Sequence, residues 1–316
     1  MNLYNLGKAP WQESQLIYHA LARLGRESLV LVSPARPYVC VGYFQGLDQE
    51  VDLAFCQQHH IPIFRREVGG GTVYLDGDQL FYQVIIHRDN PVVPVRKEAF
   101  YRKFLEPVVN TYRRIGIPAE YKPVNDVVVN ANIIVDFNYA MMSRILKVPD
   151  EKFRDKVHKT MEENLTTIRR ELSEAKASRW DEANLNHIMA EEFEKLLGPL
   201  TPRERDEELQ AKMDDLASWM LSHDWLYRKG KKKKTLGREV KIRAGVKVIE
   251  KMHKAPGGLI RANFEVREGR FAEMSISGDF FCYPSDGVSR LESMLDGRPV
   301  EDARQVLSDL YETGET

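Results

Sequence analysis

The chain has 316 residues, 43% of them hydrophobic and 29% charged, and its 46 Lys+Arg and 47 Asp+Glu leave a formal charge of −1. This supports a packed core and about two domains, and excludes a globally basic nucleic-acid binder and a predominantly disordered chain. No apolar run reaches the ~18 residues of a membrane helix, MNLYNLGKAPWQESQ lacks the basic start and apolar stretch of a signal peptide, and Cys40, Cys56 and Cys282 form no CxxC pair. The expectation is a cytoplasmic protein with reduced thiols, without a zinc knuckle, membrane contact or disulfide framework.

Helical spacing of Leu16, Ile17, Ala20, Leu21 and Leu24 predicts a helix over 12–24, stopped at Gly25. Short strands follow at Leu29–Ser33 and Tyr38–Val41, around Pro34 and Pro37. Val51–His59 reads as a short helix, and Pro62–Arg66 leads into Gly69-Gly70-Gly71. Thr72–Leu75 and Leu80–His87 read as strands joined by the turn former Asp76-Gly77-Asp78. Phe100, Phe104, Val108 and Tyr112 form the apolar stripe of a helix over 97–115, kinked or offset at Pro107. Val127–Val129 and Ile133–Phe137 are β-branched strand segments with Asn130-Ala131-Asn132 between them. Helices are expected at Tyr139–Leu146, Glu151–Leu172, Glu182–Leu197 and Arg203–Leu221, then the basic run Lys229–Lys234. A second β pattern comprises Val240–Ala244, Leu259–Val266 and Phe271–Ser277, the last two joined by the hairpin signal Arg267-Glu268-Gly269-Arg270. Short helices at 286–296 and 300–312 close the chain. The organisation expected is an α+β domain over 1–228 with a helical extension from about 139, a Lys-rich linker over 229–237, and a small α+β domain over 238–316.

Chemistry concentrates in Arg65-Arg66-Glu67-Val68-Gly69-Gly70-Gly71-Thr72-Val73-Tyr74. Three glycines bare the backbone N–H groups and admit a ligand to the main chain. Two arginines upstream offer planar forks for a carboxylate or phosphate. An anion site, such as a nucleotide phosphate joined to an acyl group, and a tight turn with a solvated arginine pair both satisfy this pattern. It is neither a Walker loop nor a dinucleotide fingerprint. Asn125-Asp126, opening a strand after Lys122-Pro123, offers an amide and a carboxylate to a ligand or a Mg²⁺ ion, or else an ordinary strand cap. The histidines show no HxH or HExxH spacing, which disfavours a histidine metal centre.

The stretch PYVCVGYFQ…QEVDLAFCQQHHIPIFRREVGGGTVYLDGDQLFYQ, with KPVNDVVV downstream, resembles the lipoate–protein ligases of the biotin and lipoate ligase superfamily. The likeness continues through VPDEKFRDKVHKTMEENLTTIRREL and ends in PGGLIRANFEVREGRFAEMSISGDFF, which resembles the C-terminal accessory domain of the two-domain ligases. The fold it implies is a mixed, mainly antiparallel sheet flanked by helices, plus a small α+β module. The activity it implies is ATP-dependent: lipoate is activated as lipoyl-AMP, then transferred to a lysine of a carrier such as the lipoyl domain of a 2-oxoacid dehydrogenase E2 or a glycine cleavage H-like protein. In that frame Arg65 and Arg66 grip the carboxylate or phosphate, and Gly69, Gly70 and Gly71 lie under lipoyl-AMP. Thr72, Val73 and Tyr74 line the adenylate, Asn125 and Asp126 face the phosphates and Mg²⁺, and Val39, Val41 and Phe44 line an acyl tunnel or are plain core. Lipoate or octanoate is the substrate implied. The basic run at 229–234 would then steer an acidic carrier domain, the alternatives being a solvated linker or an anionic partner such as RNA.

Two departures from the family pattern stand out. Leu75 takes the place of a histidine, and Val129-Asn130 runs directly into Ala131-Asn132-Ile133 where the family places a Gly-rich segment with an essential lysine. The lysine is thus expected between Asn130 and Ala131 and is not found there. Two further readings therefore remain: an octanoyl or lipoyl transferase of the same fold, which needs an activated thiol from Cys40, Cys56 or Cys282, and a non-catalytic acyl- or carrier-binding relative.

Overall fold

Ser28–Pro34 is buried at every position, as a strand covered on both faces must be. It sits at the centre of the main sheet. The computed structural model describes residues 1–120, 130–229, 240–243 and 246–313. These pack into two compact units, one of Met1–Cys40, Asp52–Phe64 and Val73–Ser222, the other of Val41–Val51, Arg65–Thr72 and His223–Thr316.

The strands associated with the first unit are β1 (Asn2–Ala9), β2 (Ser28–Pro34), β3 (Tyr38–Val41), β4 (Ile63–Arg65), β5 (Val73–Leu75), β6 (Gln79–Ile85), β7 (Asn130–Ile134) and β8 (Thr201–Pro202). They form a five-stranded mixed sheet in the order β7-β6-β2-β1-β8 and a small sheet in the order β4-β3-β5. β1 lies parallel to β2 and β8, whereas β6 is antiparallel to both β2 and β7. β1 was not expected from sequence: its burial does not alternate cleanly, and a register shift between Asn5 and Gly7 interrupts the ladder. The two strands expected around Asp76-Gly77-Asp78 both form, but in different sheets. β5 pairs with β3 and β6 with β2, so the turn hands the chain from one sheet to the other.

Val127–Val129, the first of the two strand segments expected here, lie outside the described residues, and Asn130-Ala131-Asn132, expected between the two, are themselves strand. They are consecutive rungs of β7, paired with Gln83, Tyr82 and Phe81, and Ile133 and Ile134 continue the same register onto Leu80 and Gln79. The backbone passes from Asn130 to Ala131 without a bulge.

Helices cover this sheet through an apolar cluster joining Leu29, Leu31, Leu80, Tyr82 and Ile133 to Val108, Ile168, Leu185, Met189 and Phe193. The helix Glu182–Leu197 matches its expected bounds because its signals are complete. The Asp181 carboxylate accepts the Asn184 N–H at 2.8 Å, and Gly198, at φ 76°, ends it. The helix Lys97–Arg114 runs through Pro107, where Thr111 Oγ1 donates to the Pro107 carbonyl at 2.8 Å. The long helix expected over 151–172 is broken. It ends at Asn164, and a separate turn, Ile168–Glu171, starts where Thr167 Oγ1 accepts the Arg170 N–H at 3.2 Å. A threonine hydroxyl offers the backbone an alternative to continued helix.

In the second unit β9 (Val240–Arg243), β10 (Val246–Ala255), β11 (Gly258–Arg267) and β12 (Arg270–Gly278) form an antiparallel sheet in the order β12-β11-β10-β9. The predicted hairpin is present: Arg267 pairs with Arg270, and Glu268 and Gly269 have φ of 51° and 76°, the two left-handed positions of a two-residue turn. β10 escaped the sequence reading because its lysines and histidine hide the alternation. Helices Gly287–Leu295 and Ala303–Thr313 follow. Phe271, Met274, Ile276, Val288, Leu295 and Val306 form this unit's core, and Phe44 belongs to the same cluster. Val39 and Val41, the other two tunnel candidates, are fully buried. No helix among the described residues is long and apolar enough to cross a membrane.

Candidate functional site

The second unit joins two short pieces of chain, Val41–Val51 and Arg65–Thr72, to the C-terminal residues. Arg65 is the clasp between them. Its side chain is fully buried. Nη1 donates to the carbonyls of Gly42 and Gln45, both at 2.8 Å, and of Tyr43 at 3.2 Å. Nε and Nη2 donate to the Leu226 carbonyl at 3.0 and 2.8 Å. A guanidinium's donors, arranged in a fixed fork, suit a set of converging carbonyls. Trp225 returns the contact, its indole Nε1 donating to the Arg65 carbonyl at 2.9 Å.

Arg66 shapes the glycine loop itself. Its Nη2 donates to the carbonyls of Gly69 and Gly71, both at 2.8 Å, and Nε to that of Gly69 at 3.2 Å. The expectation that both arginines grip a ligand directly meets a different arrangement here: both direct N–H groups into the main chain. Gln45 completes the frame. It is buried, and its Oε1 accepts the Gly42 N–H at 2.8 Å and the Thr72 hydroxyl at 3.0 Å. Neither Gly42 nor Gln45 was singled out from sequence, although both lie in the Val41–Gln45 stretch that carries the family likeness. The available signal was a glycine immediately after a buried strand. A β-carbon on Gly42 would run into the Gly70 carbonyl.

Gly69 and Gly70 are themselves in contact with the C-terminal residues. A β-carbon on Gly69 would strike the Phe280 carbonyl, and one on Gly70, at φ +90°, would lie 3.0 Å from Arg66 Nη2 and 3.3 Å from the Phe281 ring. The Gly70 N–H donates to the Phe280 carbonyl at 3.4 Å. The Phe44 and Phe280 rings stack with centroids 5.0 Å apart, and the Gly278 N–H donates to the Phe44 carbonyl at 3.0 Å. Arg261 pairs with Glu50 across the same surface.

Thr72 leads into β5, where Val73 is 38% exposed and Tyr74 is buried. The Tyr74 ring lies edge-on to Phe137 at 6.5 Å. Burial, followed by the neighbouring Asp76 carboxylate, pushes the Tyr74 phenol above its ordinary range. Leu75, at the family's histidine position, is buried. Asn125, Asp126 and Lys122 lie outside the described residues, as do Lys231–Lys234. Lys229 is described, and it pairs with Glu292 at 2.7 Å. Asp126 was the residue expected to meet Mg²⁺. Among the described residues no three His, Cys, Asp or Glu side chains gather to hold a metal ion.

The thiols are poorly placed for nucleophilic work. Burial, then the Asp52 carboxylate, pushes Cys56 up to about 11. Burial also raises Cys282, whose Sγ lies 3.5 Å from the Pro284 carbonyl. Cys40 is 1% exposed and sits 3.8 Å from Gln15 Oε1.

Comparison with known proteins adds to this geometry. Residues 9–134 match the family described as lipoyl protein ligase A/B catalytic domain, and residues 248–311 match the bacterial lipoate protein ligase C-terminus. Two Thermoplasma acidophilum proteins divide the likeness. Lipoate-protein ligase A subunit 1 is 31% identical over 41% of this chain, which spans 59% of that relative's length. Subunit 2 is 41% identical over 21% of this chain and 71% of its own. The octanoyltransferase LipM of Kyrpidia tusciae is 24% identical over 61% of this chain and 84% of its own. Among solved structures, Plasmodium falciparum LipL1, crystallised with lipoate, superposes with a TM-score of 0.66 at 14% identity, over 99% of this chain and 94% of the other.

Proposed function

This chain belongs to the lipoate–protein ligase family, and from that premise we propose that it activates lipoate with ATP and transfers the acyl group to a lysine of a carrier domain. In the first step a carboxylate oxygen of lipoate attacks the α-phosphorus of ATP, the bond to the β-phosphate's bridging oxygen breaks, and lipoyl-AMP and pyrophosphate form. In the second the neutral amine of the carrier lysine attacks the acyl carbon, AMP leaves with the bridging oxygen, and the nitrogen releases a proton. No enzyme nucleophile takes part, so the protein contributes positioning and charge balance.

The glycine loop suits that task. In this reading the mixed anhydride lies along Gly69, Gly70 and Gly71 in place of the Phe280 main chain that now meets Gly69 and Gly70, Arg66 fixes the loop through the Gly69 and Gly71 carbonyls, and Thr72 is anchored on Gln45 and followed by Val73 and Tyr74. Asn125 and Asp126 face the phosphates in this reading, and the carrier is a lipoyl domain.

The observation that favours this reading over a transferase is the state of the three thiols. A thioester route requires a thiolate near neutral pH, whereas Cys56 and Cys282 are shifted the opposite way and Cys40 is buried beside an amide oxygen. The transferase stands second, on the likeness to an octanoyltransferase. The test is to incubate the protein with ATP, lipoate and a lipoyl domain and weigh the domain. A lipoyl mass gain that depends on ATP, with release of pyrophosphate, is expected. Transfer only from an acylated protein donor establishes the transferase instead, and ligand binding without transfer establishes a non-catalytic relative.

A further inference from the structure

Arg228 sits in an unusual place within the second unit. Its guanidinium carbon lies 3.8 Å from the centroid of the Tyr43 ring and 4.7 Å from that of Trp225. The two rings are themselves 5.8 Å apart. The rings are tilted 60° to each other, and both draw the guanidinium by cation–π attraction. Arg228 Nη1 is buried and makes no hydrogen bond. None of the ion pairs among the described residues involves Arg228.

That is a costly arrangement to leave unfilled. Arg228 is half-buried overall, and an enclosed polar atom such as its Nη1 is almost always partnered in a folded protein. The contrast with Arg65 and Arg66 sharpens the point, since those two guanidiniums give their donors to backbone carbonyls. Arg228 instead holds an unspent donor edge on a prebuilt aromatic seat.

The seat is fastened to the glycine loop. The Tyr43 N–H donates to the Val68 carbonyl at 2.9 Å. The Tyr43 and Leu226 carbonyls both accept from Arg65, and Trp225 donates back to the Arg65 carbonyl. Both rings beside Arg228 are therefore held by the strand end that opens the loop.

We infer that Arg228 is a binding residue for a phosphate oxyanion of the nucleotide. Its N–H donors take phosphate oxygens while Tyr43 and Trp225 hold the guanidinium in place. A planar fork matches two oxygens on one centre, and the flanking rings reduce the freedom that would otherwise be lost on binding. The identity of the anion as part of ATP rests on the ligase reading. The presence of an oxyanion site at Arg228 does not.

The experiment is calorimetric titration of the full chain and of Arg228→Met and Arg228→Lys with four probes: ATP, sodium pyrophosphate, adenosine and lipoate. Arg228→Met is expected to weaken ATP and pyrophosphate at least tenfold, leave adenosine unchanged, and keep the thermal midpoint within a few degrees. Arg228→Lys, which keeps the charge without the planar fork, is expected to recover part of the loss. Pyrophosphate should also alter the tryptophan emission of the unmodified chain, and Trp225→Phe should remove that change, a readout that holds even where an Arg228 variant fails to fold. Binding of pyrophosphate at Arg228 without binding of ATP upholds the anion site and defeats the ligase reading. Pyrophosphate and ATP affinities equal to those of the unmodified chain in Arg228→Met overturn the inference. So does loss of lipoate affinity alone, which assigns the seat to a carboxylate, or an unmodified chain that binds neither phosphate probe.

Discussion

At the scale of single residues, Gly42 is the position where one methyl group has the largest consequence. The β-carbon of alanine there meets the Gly70 carbonyl and lies 3.4 Å from Arg66 Nη2. Because the obstacle is backbone, the loop must move; overpacking of this kind costs typically 1–3 kcal/mol. Gly42→Ala is expected to fold and to slow lipoyl-AMP formation at least tenfold, measured as pyrophosphate release. Gly257→Ala, whose β-carbon meets nothing within 4 Å, serves as the control and should match the unmodified chain. A second expectation concerns Cys56. With its thiol pushed up to about 11, only about one molecule in ten thousand carries the thiolate at pH 7. Iodoacetamide should label Cys56 in the native protein far more slowly than in urea, and Cys56→Ser should transfer lipoate at the unmodified rate. Rapid native labelling with loss of activity would move the transferase to first place.

At the scale of elements, the helix Glu182–Leu197 secures the main sheet. Leu185, Ile188, Met189 and Phe193 recur at helical spacing and are all buried, and the Phe193 ring lies 5.3 Å from that of Tyr82 on β6. Phe193→Ala removes a large side chain from a filled site and is expected to cost about 3–5 kcal/mol, read as a fall in the urea midpoint at unchanged slope. This helix was legible in the sequence because period, cap and stop all agreed. The break after Asn164 was not, because the apolar period of 151–172 continues through Leu165 while a single threonine hydroxyl decides the boundary. β5 and β6 were legible as strands, but their membership of different sheets depends on long-range pairing with β3 and β2, which no local pattern encodes. The candidate site divides in the same way. The residue types of the Arg-Arg-x-x-Gly-Gly-Gly segment fitted an anion loop and a tight turn equally. That the arginines turn inward to brace it depends on which carbonyls the fold brings near, and Gln45 and Phe280 come from segments distant in sequence.

At the scale of the whole molecule, the C-terminal sheet is tied to the Val41–Val51 segment by the Glu50–Arg261 pair, and this pair gives stability a dependence on pH. Burial raises the Glu50 carboxyl above its ordinary value, and Arg261 opposes the shift without cancelling it. Between the unfolded and folded values the folded state binds more protons, so Glu50's contribution to stability declines as pH rises through that window. Glu50→Gln removes the titration. Its urea midpoint, compared with that of the unmodified chain between pH 4 and pH 7, is expected to fall less as pH rises. A difference between the two proteins that stays constant across the range would show that Glu50 does not titrate in this way.

The contact of Gly70 with Phe280 carries a consequence of its own. The missing side chains of Gly69 and Gly70 make room for any guest of the right thickness, and the guest in place is a stretch of the protein's own main chain, hydrogen-bonded through Gly70. A ligand that lies on those glycines and uses the same N–H is a rival for one chair. Thermodynamic reciprocity then fixes the exchange: whatever free energy the Phe280 contact holds is subtracted from the ligand's apparent affinity, and a bound ligand weakens that contact by the same amount.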